Sequence, residues 1–321
     1  MKRNVIVSVF CAVLAVLALL WGLSPVVSPA AKIQVETVAL LLDTDIGASA
    51  LQMKQGAKLA AKEQKVELLT ATPEYLKSNA LSQAELMTQL LGRNVKALLL
   101  VPVKGEDLSA PLEEAARRKV PVLILGETTF QKNTTCTISG DHEEAGRLAA
   151  AALTKRLSSP GQILLITGSQ ADDAAALRRK GALSVLTSDP ELQIVAESEL
   201  SSKTSDDMLA LLSTYPQTNG ILALTGEDTE LCALAMGRMN KHIPLVGMDC
   251  GQNRNLYLEN GQVDAMVLGM PFAMGYLGVQ FATQALGGKA IPLIYHTQSR
   301  VIDRENMYLP ENQKLAFPML Q

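Results

Sequence analysis

Residues 38–61 read VALLLDTDIGASALQMKQGAKLAA. Val38–Leu42 is an unbroken apolar run, the pattern of a strand covered on both faces. It stops at Asp43, and a second acid, Asp45, follows two residues later. From Ser49 to Glu63 apolar residues recur at helical spacing. A strand, an acidic loop and a helix are one unit of a parallel α/β sheet. The same ten central residues also fit the acidic metal loop of an enzyme, so the surrounding chain has to decide.

Outward from this unit the rhythm repeats. Further short apolar runs lie at Val66–Leu69, Ala97–Val101, Val120–Leu125, Ile163–Ile166, Ile194–Ala196, Ile221–Leu224, Pro244–Gly247 and Ala265–Leu268. Between them, helical spacing appears over Asn79–Leu91, Leu108–Arg118, Glu143–Leu157, Asp173–Leu186, Ser205–Ser213 and Asp228–Met239, with a last stretch at Phe272–Leu286. Residues 36–130 hold about four strand–helix units and residues 160–268 about four more. CTISGDHEEAG, Cys136–Gly146, joins the two sets and puts Asp141 at a helix N-cap position. The expected fold class is therefore α/β, with two similar Rossmann-like lobes of parallel strands and the last helix returning to the first lobe. In open α/β sheets ligands bind beyond the C-terminal ends of the strands. Two such edges can face each other across a cleft.

The residues just after the strands are the candidate ligand contacts: Asp43, Asp45, Glu127, Thr128, Asp141, Gln170, Glu227 and Asp249. Carboxylates dominate this set. They accept paired hydrogen bonds from the diols of a sugar or polyol, and they also attract a cation such as a polyamine. His142, beside Asp141, is a further candidate for the cleft wall.

Bulk composition narrows the classes. The chain has 321 residues, enough for two domains of ordinary size. Its net charge is −3 and its Lys and Arg are scattered, which argues against a nucleic-acid partner. Lys2 and Arg3 precede Val5–Leu23, a run without charge and long enough to span a bilayer. Residues 1–31 are read as a cleaved signal peptide or a retained membrane anchor, and both place residue 32 onward outside the cytoplasm. Cys136, Cys232 and Cys250 follow the segment, an odd number with no CxxC pair, so this is not a disulfide-stapled scaffold.

Enzyme motifs fail on their spacing. DTDIG resembles the start of nucleoside hydrolases, but Ala48-Ser49-Ala50 stand where further calcium-binding acids would be needed. His142, His242 and His296 form no metal-ligand spacing, and no phosphate loop or dinucleotide fingerprint is present. No catalytic residue, metal or cofactor is assigned.

Taken together, VALLLDTDIGASALQMKQGAKLAA, VKALLLVPVKGEDLSAPLEEAARRKVPVLILG, TISGDHEEAGRLAAAAL and IPLVGMDCGQNRNLYLENGQVDAMVLGMPFAMGYLGVQFA resemble the type I periplasmic binding proteins, the ribose/galactose-type fold shared with the effector domain of lactose-repressor-like regulators. The resemblance runs from about residue 36 to 310. It implies two lobes joined by a three-stranded hinge, with residues 36–138 plus about 270–297 in one and 139–269 plus about 298–321 in the other. It implies capture of a sugar-like solute for an ABC permease. A membrane-anchored sensor signalling to a histidine kinase is the alternative, and a nucleoside-hydrolase-like enzyme stands behind both.

The resemblance carries Asp249 and Asp141 over as ligand-facing acids. Elsewhere the chain departs from the family pattern. Ser49 and Ala50 stand where an aromatic pair is common, Gly126-Glu127 where Asp-Arg is common, and Ala176 where a ligand-facing Arg is common. Arg178 and Gly181 keep the rest of that helix. The only Trp is Trp21, and only Phe130 and Phe272 lie near the expected cleft loops. The aromatic platform of a standard sugar site is missing.

Overall fold

The computed structural model describes residues 36–73, 81–126, 132–158, 160–169, 172–200, 204–239 and 241–317. The expected export segment, and Glu127, Thr128, Phe130 and Gln170 among the cleft candidates, lie outside the described residues. Among the described residues no helix is long and apolar enough to cross a membrane.

The first half runs β1 (Thr37–Leu41), α1 (Ala48–Gln64), β2 (Glu67–Ala71), α2 (Gln83–Gly92), β3 (Ala97–Leu100), α3 (Ser109–Arg117), β4 (Val122–Leu125) and β5 (Cys136–Gly140). The second runs α4 (His142–Thr154), β6 (Gly161–Ile166), α5 (Asp173–Leu186), β7 (Leu192–Ser198), α6 (Ser205–Thr214), β8 (Gly220–Ala223), α7 (Gly226–Met236), β9 (Leu245–Met248), α8 (Arg254–Glu259) and β10 (Ala265–Leu268). The chain closes with α9 (Pro271–Leu286), β11 (Ile294–Thr297), β12 (Arg300–Asp303) and α10 (Pro310–Ala316).

Two six-stranded sheets result, ordered β11-β5-β4-β3-β1-β2 and β12-β10-β9-β8-β6-β7. All pairings are parallel except that of β10 with β12. The fold class is the one expected, two α/β lobes. The central strands β3, β4, β8, β9 and β10 are apolar and buried at every position because they are covered on both faces, while the edge strands β2, β7, β11 and β12 carry polar residues and are partly exposed. In β1, Val38 and Leu40 enter one core cluster while Ala39 and Leu41 enter another on the opposite face. The second lobe does the same in β6, where Leu164 and Ile166 face one cluster and Ile163 and Leu165 the other.

Three segments pass between the lobes. β5 belongs to the first sheet, and α4, beginning two residues later, packs on the second. β10 belongs to the second sheet, and α9 packs back on the first. β11 and β12 lie in different sheets with only Gln298 and Ser299 between them. The Asp141 amide donates to Thr297 O at 3.2 Å, tying the first crossing to the third. The sequence reading left β11 and β12 as an unassigned tail.

Each lobe contains one helix pair in backbone contact. On α9, a Cβ built at Gly275 would lie 2.0 Å from Met53 O of α1, and one at Gly56 of α1 would lie 1.9 Å from Phe272 O. In the second lobe, a Cβ at Gly146 of α4 would lie 1.9 Å from Arg178 O of α5, and one at Gly181 would lie 1.9 Å from Glu143 O. The two pairs match position by position. Gly275 and Gly146 are each the fifth residue of a crossing helix, while Gly56 and Gly181 are each the ninth residue of a lobe's first helix.

These distances leave no room for any side chain. Gly275→Ala should lower unfolding free energy by about 1–3 kcal/mol in urea titration, because backbone rather than a flexible side chain must give way. Gly92→Ala, at a helix C-terminus with open space around it, is the control and should be neutral or slightly stabilising. Equal stabilities for the two variants would refute the close approach.

Candidate functional site

A cavity of about 160 Å³ lies at the three crossings. Gly140, Gly269 and Ser299 bring the crossings into its wall. The strand ends contribute Gly126, Gly226, Met248, Asp249 and Val267, and the helices contribute His142, Ala145, Arg178 and Met274. The volume is small beside the roughly 300–1,000 Å³ of typical small-molecule sites. A larger open groove of about 620 Å³ follows the loop after β3, from Pro102 to Ser109, and touches none of the crossings.

Asp249 follows β9 and is the one described carboxylate from the sequence-derived set that lines the cavity. Its Oδ1 accepts from the Gly251 amide at 2.9 Å. Gly251 has φ 77°, a left-handed conformation that glycine reaches without cost. Oδ2 pairs with Arg254 Nη1 at 3.0 Å. Arg254 is itself buried, with Nε on Gly251 O at 2.8 Å and Nη1 also on Leu315 O at 3.2 Å. Burial pushes the Asp249 carboxyl above the usual carboxylate range, and the Arg254 charge and the Gly251 N–H pull it back.

The opposite sign comes from α5. Arg178 Nη1 donates to Leu224 O at 2.9 Å, and Nη2 donates to His142 Nδ1 at 3.1 Å. A guanidinium only donates, so Nδ1 is the acceptor and the ring proton sits on Nε2. His142 Nε2 is buried with no hydrogen-bond partner. Burial first, and the Arg178 charge second, push the imidazole down to about 4, so the ring is neutral. The reading of His142 as a cleft residue matches its place in the wall.

The remaining described candidates lie off this cavity. Asp43 Oδ1 accepts from the Thr44 amide at 2.9 Å, and burial raises its carboxyl against that hydrogen bond. Asp45 is exposed in the same loop. Asp141 caps α4, accepting from the Glu144 amide at 2.9 Å. Glu227 is exposed in the first turn of α7. Phe272 sits at the head of α9 and does not line the cavity. The walls are apolar through Met248, Met274, Val267 and Ala145, and among the described residues no Phe, Tyr or Trp lines them. Sequence reasoning treated Arg178 as part of the helix frame, whereas the structure puts it in the wall. Its spacing from Gly181 was the available signal, because a residue three before a helix-contact glycine lies on nearly the same face.

Comparison with known proteins agrees with this architecture. A family model described as a periplasmic binding protein domain matches residues 39–290. The ribose import binding protein of Bacillus subtilis is 23% identical over 258 residues, covering 79% of this chain and 83% of that protein. A xylitol-binding protein of Mycolicibacterium smegmatis is 24% identical over 213 residues, 64% of this chain and 59% of that protein. Among solved structures, GanP, a glucose-galactose binding protein from Geobacillus stearothermophilus, superposes with a TM-score of 0.71 at 21% identity, covering 86% of this chain and all of that one (100%). A carbohydrate transporter solute binding protein from Agrobacterium radiobacter, in complex with D-arabinose, gives 0.70 at 20% identity and covers 89% of this chain and 100% of that one. The chain belongs to the periplasmic binding protein family and has its type I fold.

The buried imidazole makes stability depend on pH with a defined sign. Its ordinary value is 6.5 and its folded value is about 4. Between the two, the unfolded chain binds a proton that the folded chain does not, so acid favours unfolding. The contribution is complete above about pH 6.5 and is lost toward pH 4, with a slope of up to about 1.4 kcal/mol per pH unit. His142→Gln removes the titrating group. In urea unfolding at a series of pH values, the variant should gain on the wild type as pH falls through this window. Parallel curves would show that the ring titrates normally.

Proposed function

We propose that this member of the periplasmic binding protein family works outside the cytoplasm, capturing a small polar, sugar-like solute between its lobes for an ABC transporter. One observation carries the reading: the cavity is walled by the same crossings that connect the lobes. A solute bound there touches both lobes and the pivots at once, so occupancy and hinge closure are coupled. The lobes are residues 36–138 with about 270–297, and 139–269 with about 298–321. The names of the relatives, a ribose import binding protein and a xylitol-binding protein, support the solute class and the transport role.

Asp249 is the central contact in this reading. Arg254 and the Gly251 amide hold its carboxylate in one orientation, which lowers the ordering cost of accepting a ligand hydroxyl. Asp43, Asp45, Asp141 and Glu227, which follow strands in the sequence, are further proposed contacts, and Glu127, Thr128 and Gln170 belong to the same set by sequence. The function requires no catalytic group, metal or cofactor.

A thermal-shift screen of the full chain against sugars, polyols, sugar acids, nucleosides and polyamines tests this. A solute at a hundred times its Kd should stabilise by about 2.7 kcal/mol and raise Tm accordingly. Asp249→Asn leaves buried Arg254 without its counter-charge, so it should lower the Tm of the unliganded protein, checked as folded by circular dichroism, and remove the ligand-induced shift. A screen in which no class raises Tm would overturn solute capture, and a full shift in Asp249→Asn would remove Asp249 from the site.

A further inference from the structure

We infer that the solute selected by this cavity carries a carboxylate: a small hydroxy acid of the sugar-acid class, with its carboxylate on Arg178 and His142 and its hydroxyls toward Asp249. The inference rests on the solute-capture reading and goes beyond it by fixing the charge of the ligand.

Among the described residues, Asp249 and Arg178 line the wall and Arg254 lies behind it. Asp249 and Arg254 neutralise each other at 3.0 Å. Arg178 is left over. It forms no ion pair among the described residues, and its two hydrogen bonds go to a neutral carbonyl and a neutral imidazole. Burial lowers its affinity for its proton, opposed only by Asp172 acting through space. Asp172 makes no ion pair with it, and its Oδ1 caps α5 on the Ala174 and Ala175 amides at 2.9 and 3.3 Å. A desolvated cation with no ion-pair partner among the described residues is costly, and an incoming anion would offset that cost.

His142 adds the second donor. Its Nε2–H is buried and unpartnered, on the ring whose other nitrogen receives Arg178. A guanidinium edge beside an N–H donor suits the planar, two-oxygen geometry of a carboxylate. The N-termini of α4 and α7 reach the same wall through His142 and Gly226, adding positive dipole ends. The cavity, at about 160 Å³, suits a small acid.

The contact between α4 and α5 does not depend on the arginine side chain. The helix contact uses only the Arg178 carbonyl, facing Gly146. The matching contact in the first lobe uses the carbonyl of Met53, which is likewise the sixth residue of its helix. Methionine satisfies the same packing there. The guanidinium of Arg178 is thus available for another task.

Isothermal titration of the full chain with matched pairs tests the inference: D-ribonate against D-ribose, and D-glycerate against glycerol. The acid should bind at least about tenfold more tightly than its neutral partner. Arg178→Met should cost the acid on the order of a hundredfold in affinity and abolish the preference. Arg178→Lys, which keeps the charge and loses the fork, should retain part of it. Should Arg178→Met fail to fold, the wild-type pairs and Arg178→Lys still decide. Equal or tighter binding of the neutral partner would overturn the acid inference and leave solute capture standing. Persistence of the acid preference in Arg178→Met would overturn the assignment to Arg178. Failure of both members of every pair, together with a silent thermal-shift screen, would overturn both readings.

Discussion

Helix backbone resting on helix backbone is the constraint from which the rest of this structure follows. Four glycines, two per lobe, let a crossing helix lie against the first helix of the lobe it enters. Contacts of this kind bring Cα–H groups against carbonyl oxygens and leave no side-chain layer between the helices. In the second lobe the contact between α4 and α5 sets His142 and Arg178 within hydrogen-bond reach. The donor pair of the cavity is therefore a product of the packing. A larger residue at Gly146 or Gly181 would move the wall before it touched any ligand.

Charge in the molecule is distributed by a second rule. An acid following a strand has two employers, the helix that begins there and the cleft beyond it. Asp141 and Asp172 bond the first amides of their own helices, and Asp228 bonds the Thr225 hydroxyl at the head of α7. Asp249 precedes a 3-10 turn at Gly251–Asn253, accepts from the Gly251 amide and is paired with an arginine as well. This leaves its second face to the cavity. The local field is consequently less negative than the row of acids in the sequence suggests.

The fold was legible because strands covered on both faces are apolar, and seven of the nine apolar runs became such strands; the other two, β2 and β7, are partly exposed sheet edges. β11 and β12 were not legible. β11 is an edge strand with Ile294 and Tyr295 exposed, and β12 pairs with a strand more than thirty residues earlier, so neither has a local pattern. In the site, Asp249 and His142 were readable as residues just beyond strands. Arg178 was not, since a basic residue inside a helix ordinarily belongs to the solvated face, and only the glycine contact turns this one inward. Capping acids and ligand-facing acids look identical in a sequence. The difference lies in which amide is nearest, and that is set by tertiary structure.

The position of the cavity has a mechanical consequence. It lies at the fulcrum, where Gly140, Gly269 and Ser299 pass from one lobe to the other. Any rotation about these points displaces each part of a lobe in proportion to its distance from them. In the proposed reading, a ligand seated at the fulcrum would need to shift its surroundings only slightly, and the lobes would act as lever arms that enlarge the movement toward their outer rims. A small solute can in this way be announced across a surface many times its own size.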